Sequence, residues 1–232
     1  MMQWRKTVMK IALVYTGTTP ELEKYVNDEV AENIGTDAEI LKYADGTIIA
    51  EARDAGYVTA GAAARLVTMY MKAVQDGADA ILNLCSSVGE VADASQDLAK
   101  YLGVPIVRVD EEMCREAVRN GKRIGVLATL QTTLEPTKNT LRRVAREAGR
   151  RVELVDGVFD AFGADADKFN ELMLEKGKEM AAEHVDVIVL CQGSMAFGEK
   201  YLHDVLGIPV LSSPRFGAAE LRKALAAKGL IR

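Results

Sequence analysis

The chain repeats itself. Lys10-Ile11-Ala12-Leu13-Val14-Tyr15-Thr16 is matched by Arg123-Ile124-Gly125-Val126-Leu127-Ala128-Thr129, and Ile81-Leu82-Asn83-Leu84-Cys85-Ser86-Ser87 by Val187-Ile188-Val189-Leu190-Cys191-Gln192-Gly193-Ser194. Leu102-Gly103-Val104-Pro105 returns as Leu206-Gly207-Ile208-Pro209. The three pairs keep their order and nearly their spacing, the mark of a duplicated supersecondary unit. A duplication restricts the fold to two similar halves related by an approximate two-fold axis.

Within each half, short β-branched and aliphatic runs alternate with longer amphipathic stretches, the pattern of βα units around a mainly parallel sheet. Strands are expected near 9–15, 37–42, 79–85, 105–109, 123–129, 152–156, 185–191 and 208–212. Helices are expected near 20–33, 58–76, 89–101, 111–119, 133–148, 167–183, 196–204 and 215–228. The Gly-x-Pro turns at 103–105 and 207–209 stop a helix and start a strand, and Pro20 and Pro136 are placed in the first turn of a helix. The fold class is therefore α/β: two similar domains, each a mainly parallel sheet flanked by helices. The first domain is read as 1–115 and the second as 116–214, with the C-terminal helix 215–232 packing back on the first.

A chain of 232 residues with 49% hydrophobic content can build such cores without a covalent staple. The net charge of −5 and a pI near 5.3 argue against nucleic acid as a partner, which usually requires a basic stripe. Three cysteines do not make a secreted disulfide framework, no apolar run is long enough to span a bilayer, and residues 1–8 read as a leader without the apolar core of a signal peptide. The expectation is a cytoplasmic protein acting on a small molecule, with neither nucleic acid nor membrane as partner. Self-association is compatible with it, a symmetric dimer being the commonest form.

In parallel sheets, ligands bind beyond the carboxyl ends of the strands. Four such ends stand out: Thr16-Gly17-Thr18-Thr19, Cys85-Ser86-Ser87, Thr129 with Gln131-Thr132-Thr133, and Cys191-Gln192-Gly193-Ser194. They are rich in small hydroxyls and backbone amides that hold a carboxylate or imide. A single cysteine is usually a small buried hydrophobe, and Cys114, in a helical stretch, is read that way. Cys85 and Cys191 differ because both occupy equivalent strand ends. A thiolate and a thiol on opposite faces of a carbon next to a carbonyl can remove a proton from one side and return one to the other. His184 and His203 are the only histidines, no zinc-type spacing occurs and no phosphate-loop fingerprint is present, so neither metal nor cofactor is expected. Arg53, Arg108 and Arg215 are each able to meet a substrate carboxylate, and the sequence does not choose among them.

With these residues the chain resembles the aspartate/glutamate/hydantoin racemase superfamily, through Cys85 in Asn83-Leu84-Cys85-Ser86-Ser87-Val88-Gly89-Glu90, Cys191 in Val189-Leu190-Cys191-Gln192-Gly193-Ser194, and Thr129 in Val126-Leu127-Ala128-Thr129. The resemblance covers most of 9–228. It implies a cofactor-independent racemase or epimerase with the active site in the cleft between the two domains and Cys85 and Cys191 facing each other across it. It also implies substrate contacts from Thr16, Thr18, Ser86, Ser87, Thr129, Thr133, Gln192 and Gly193. Glutamate racemases usually carry Asp-Ser after the first strand and Cys-Asn-Thr after the third. The corresponding Thr16-Gly17-Thr18 and Cys85-Ser86-Ser87 turn the expectation from acidic amino acids toward hydantoin-like or other small carbonyl compounds. The alternatives are a maleate-isomerase-like enzyme with a cysteine nucleophile and a non-catalytic binding module.

Overall fold

The computed structural model describes residues 8–129, 131–161 and 163–231, so the leader read at 1–8 lies outside it except for Val8. In chain order the elements of the first half are β1 (Lys10–Tyr15), α1 (Pro20–Ile34), β2 (Glu39–Ala44), α2 (Gly46–Ala55), α3 (Ala60–Gln75), β3 (Ala80–Asn83), α4 (Gly89–Ala94), α5 (Gln96–Leu102) and β4 (Ile106–Arg108). Then follow α6 (Glu111–Asn120), β5 (Arg123–Ala128), α7 (Gln131–Glu147), β6 (Glu153–Val158), α8 (Ala166–Ala182), β7 (Val187–Leu190), α9 (Gly198–Leu206), β8 (Val210–Ser212) and α10 (Ser213–Ala227).

Two four-stranded sheets result, ordered β2-β1-β3-β4 and β6-β5-β7-β8, and every pairing is parallel. The identical order is the duplication made visible. Each central strand is buried on both sides, as parallel sheets require. Along β1, Ile11, Leu13 and Tyr15 join one apolar core while Ala12 and Val14 join another; along β5, Ile124 and Val126 face one core and Leu127 the opposite one.

The helices that cover these faces are exchanged between the halves. Helix α6 follows the last strand of the first sheet, yet Met113, Cys114, Ala117 and Val118 pack with Val126, Val187 and Val189 of the second. Reciprocally, α10 follows the last strand of the second sheet, and Ala218, Leu221 and Leu225 pack with Leu13, Leu82 and Val107 of the first. At Gly217, α10 lies directly against Val109: a Cβ there would fall 2.9 Å from the Val109 Cα and 3.1 Å from its carbonyl oxygen. Backbone cannot swing aside as a side chain can, so Gly217→Ala is expected to cost about 1–3 kcal/mol, read by urea denaturation. A loss below about 0.5 kcal/mol would mean the crossing is loose.

Each of the eight expected strands is present, and the helical expectations are corrected at three points. Helix α2 was not foreseen. It starts at Asp45, whose carboxylate accepts the Thr47 N–H at 2.9 Å, and ends at Gly56 in the left-handed region. The single helix expected at 89–101 is broken at Ser95, whose hydroxyl donates to the Val91 carbonyl at 2.8 Å and competes with the helical ladder. Pro136 is not in a first turn but at the sixth position of α7, where its missing N–H removes one bond near the helix start. Among the described residues no helix is long and apolar enough to cross a membrane.

Candidate active site

Strands β3 and β7 both run out into a cysteine. The Leu84 N–H is held by the Val14 carbonyl and the Cys191 N–H by the Leu127 carbonyl, each at 2.9 Å, so both segments stay pinned to the neighbouring central strand as they leave their sheets. A single 3-10 turn follows each, Ser86–Val88 and Gly193–Met195. Behind Cys85, the buried Asn83 donates to the Cys85 carbonyl at 3.1 Å and accepts from the Tyr70 hydroxyl at 3.0 Å. Sequence reasoning passed over Asn83 as one more strand residue; a polar side chain inside an apolar run was the available signal.

A cavity of about 160 Å³ lies where the two cysteine turns meet. Cys85, Ser86, Ser87 and Thr16 line it from the first half, and Cys191, Gln192, Gly193 and Thr133 from the second. The halves are joined at its edge by a 2.9 Å hydrogen bond between the Ser87 and Thr133 hydroxyls. Among the described residues the buried Thr16 hydroxyl has no oxygen or nitrogen partner, and the group it acts on is the neighbouring Cys85 sulfur. Two expected contacts fall elsewhere. Thr18 is exposed and its hydroxyl donates to the Thr19 carbonyl, because the chain turns outward to cap α1. Thr129 lies behind the lining: its N–H donates to Gln192 Oε1 at 3.2 Å and its hydroxyl accepts from Gln192 Nε2 at 2.6 Å, fixing that amide in place. Leu22, Ile49, Leu84 and Ser194 also line the cavity. Ile49 was missed because it belongs to the unforeseen α2.

All three cysteines are free thiols. Burial pushes the Cys85 thiol up, and it is opposed by the Thr16 hydroxyl and the N–H groups of Val88 and Ser87. Burial likewise drives Cys191 up to about 12, opposed by the Thr137 hydroxyl, while the charges of Asp110 and Asp156 push in the same direction as burial. Cys114 is raised by burial and sits in the core beside Cys191. A raised value favours the neutral thiol at neutral pH. The proton Cys191 retains stabilises the fold below its ordinary value near 9, and that contribution is lost as the pH climbs from there toward 12.

The two catalytic candidates are therefore unequal. Cys85 is partly exposed and faces three donors, whereas Cys191 is fully buried. Iodoacetamide is expected to alkylate Cys85 first in the ligand-free protein, at a rate that rises with pH, with Cys191 and Cys114 slower by about tenfold or more. Peptide mass spectrometry over time checks this order; Cys191 reacting first would reverse the assignment.

Of the three arginines the sequence offered, two are occupied. Arg108, with its side chain 1% exposed, forks onto Asp110 at 2.7 and 3.0 Å and reaches Asp93 at 2.6 Å. Arg215 donates to Glu199 at 2.9 Å and lies over the Phe216 ring.

Comparison with known families gives a match to Asp/Glu/Hydantoin racemase over residues 11–221. The chain belongs to that family. Racemases are isomerases, and the match spans both sheets and both cysteine turns. No curated protein matches the chain in sequence. Among solved structures, allantoin racemase from Klebsiella pneumoniae is similar at 18% identity, covering 96% of this chain and 89% of that one with a TM-score of 0.67. Glutamate racemase from Bacillus anthracis is similar at 17% identity, 97% and 84% coverage and a TM-score of 0.71. An unliganded arylmalonate decarboxylase shares the fold at 16% identity, 93% coverage of both chains and a TM-score of 0.57.

Proposed function

We propose that this racemase-family protein inverts a stereocentre next to a carbonyl by proton transfer between Cys85 and Cys191, without a cofactor. The observation that carries the reading is that both thiols, one from each duplicated strand end, line a single small cavity. Cys85, with its three donors, is the better base of the pair. As its thiolate takes the α-proton, the C–H electron pair moves onto the carbonyl to give an enolate, and an S–H bond forms. Cys191 gives its own proton to the opposite face of the same carbon and becomes the thiolate, so the reverse reaction starts from the complementary state. The Ser86 hydroxyl and the backbone amides of Gly193 and Ser194, which line the same cavity, are the donors at hand for the enolate oxygen.

The reaction is tested in D₂O with a panel of enantiopure amino acids, hydantoins and 2-substituted acids. Loss of optical rotation should run together with solvent deuterium appearing at the α-carbon in the wild-type protein. Inversion with full retention of the original hydrogen would defeat the mechanism, since thiol protons exchange with solvent.

A further inference from the structure

The duplicated strands that lead to the two cysteines differ at one buried position. Two residues before Cys191 stands Val189, packed in an apolar core; two residues before Cys85 stands Asn83, which is just as buried. The Tyr70 hydroxyl, also inside, donates to Asn83 Oδ1 at 3.0 Å, and Asn83 Nδ2 donates to the Cys85 carbonyl at 3.1 Å. A buried amide paired with a phenol hydroxyl gains a fold little over an apolar pair of the same shape. Val189 shows that the equivalent strand is built without them. What the pair does is set a peptide plane. The Cys85–Ser86 peptide is trans, so its carbonyl oxygen and its N–H point in opposite directions. With the carbonyl turned inward onto Asn83, the Ser86 N–H is turned outward, on the side where Cys85 and Ser86 line the thiol cavity. Among the described residues that N–H meets no acceptor, whereas the next two in the turn, those of Ser87 and Val88, go to the Cys85 sulfur.

We infer that Asn83, steadied by Tyr70, is a positioning residue for the first cysteine turn: it holds the Cys85–Ser86 peptide so that the Ser86 N–H faces the carbonyl oxygen of the substrate and the following two N–H groups stay on the sulfur. The first of these tasks rests on the thiol cavity being the reaction site. The second belongs to the ligand-free protein and is read without any substrate. A rocking of that one peptide would weaken both, which is why a polar clamp lies under an otherwise apolar strand.

Two variants test the clamp. Asn83→Val brings the second half's residue into the first, and Tyr70→Phe leaves the Asn83 amide in place without the hydroxyl that orients it. Both should keep the wild-type circular dichroism, and if Asn83→Val does not fold, Tyr70→Phe carries the same readings. Iodoacetamide alkylation of Cys85 across pH needs no substrate. With the N–H groups loosened from the sulfur the thiolate is less favoured, so the alkylation profile should move to higher pH. A profile superimposable on the wild type in the folded variants overturns the inference whether or not any compound racemises. With the compound of the D₂O panel that the wild type racemises fastest, Asn83→Val should lower kcat about 10- to 100-fold and leave KM within about threefold, since the contact strengthens only as charge reaches the oxygen. Tyr70→Phe should give a smaller loss of the same kind, and the double variant no more than Asn83→Val alone, because Tyr70 acts through Asn83. An unchanged kcat, a loss on KM alone, or losses that multiply in the double variant would mean separate packing defects and overturn the inference as well. A shifted alkylation profile in a protein that racemises nothing would uphold the clamp and instead defeat the two-thiol reaction.

Discussion

Cys85→Ser and Cys191→Ser should each abolish racemisation, by about 10²- to 10⁴-fold, the range that a positioned acid or base contributes. Their residual activities should be mirror images. With one sulfur gone, the other still faces one side of the carbon, so it can remove a proton and return a solvent deuteron there without inversion. Each variant is therefore expected to exchange the α-hydrogen of one enantiomer only, and the two variants should act on opposite enantiomers. Proton NMR of each enantiomer in D₂O, with a chiral separation at the end, reads both quantities. The prediction follows from the placement of the thiols on the two halves of a duplicated fold around one cavity. A single variant that still racemised at the wild-type rate would remove the basis for a two-sided reaction. A covalent adduct on one cysteine would point to nucleophilic isomerisation instead.

The second large effect concerns stability. Asp110→Ala should cost about 3–5 kcal/mol in urea denaturation, because it strips the two-pronged partner from an arginine that cannot reach water. Among the described residues, Asp93 would remain as the one carboxylate paired with Arg108. Room for the guanidinium itself depends on Gly89, since a Cβ there would run into it. Replacing both partners with apolar residues, as in Arg108→Met with Asp110→Leu, should recover most of the loss, since the burial cost of the charges disappears with them. A loss below about 1 kcal/mol in Asp110→Ala would show that water relieves the unpaired charge. The same variant has a chemical signature. The Asp110 charge pushes up both Cys85 and Cys191, so removing it favours the thiolates, and the alkylation profile should move to lower pH.

Much of this architecture was legible from repetition. The pairing of Leu13-Val14 with Val126-Leu127, and of Cys85 with Cys191, foretold two equivalent sheets and the strand ends that meet. Eight of the ten residues expected at the site line the thiol cavity. The exceptions have local causes. Thr18 belongs to the turn that caps α1, and the reach of Thr129 is taken by the Gln192 amide. What periodicity could not show was α2, whose Asp45-Gly46 start reads as a turn and whose ten residues are too short to establish a pattern. With α2 went Ile49 as a neighbour of the site. That Arg215 is taken by Glu199 and that Arg108 is buried between Asp110 and Asp93 was equally closed to sequence, because Glu199 and Asp93 are brought near by the fold.

The exchanged helices α6 and α10 make the halves inseparable in a particular way. Cutting the connection after α6 would not release two independent pieces: each fragment would still have a helix embedded in the other's flank, like two hands clasped by the thumbs. Prising them apart would bare an oily face on both sides at once. Wide jaw-like opening between the cysteine turns would therefore strip α6 and α10 from the cores they complete.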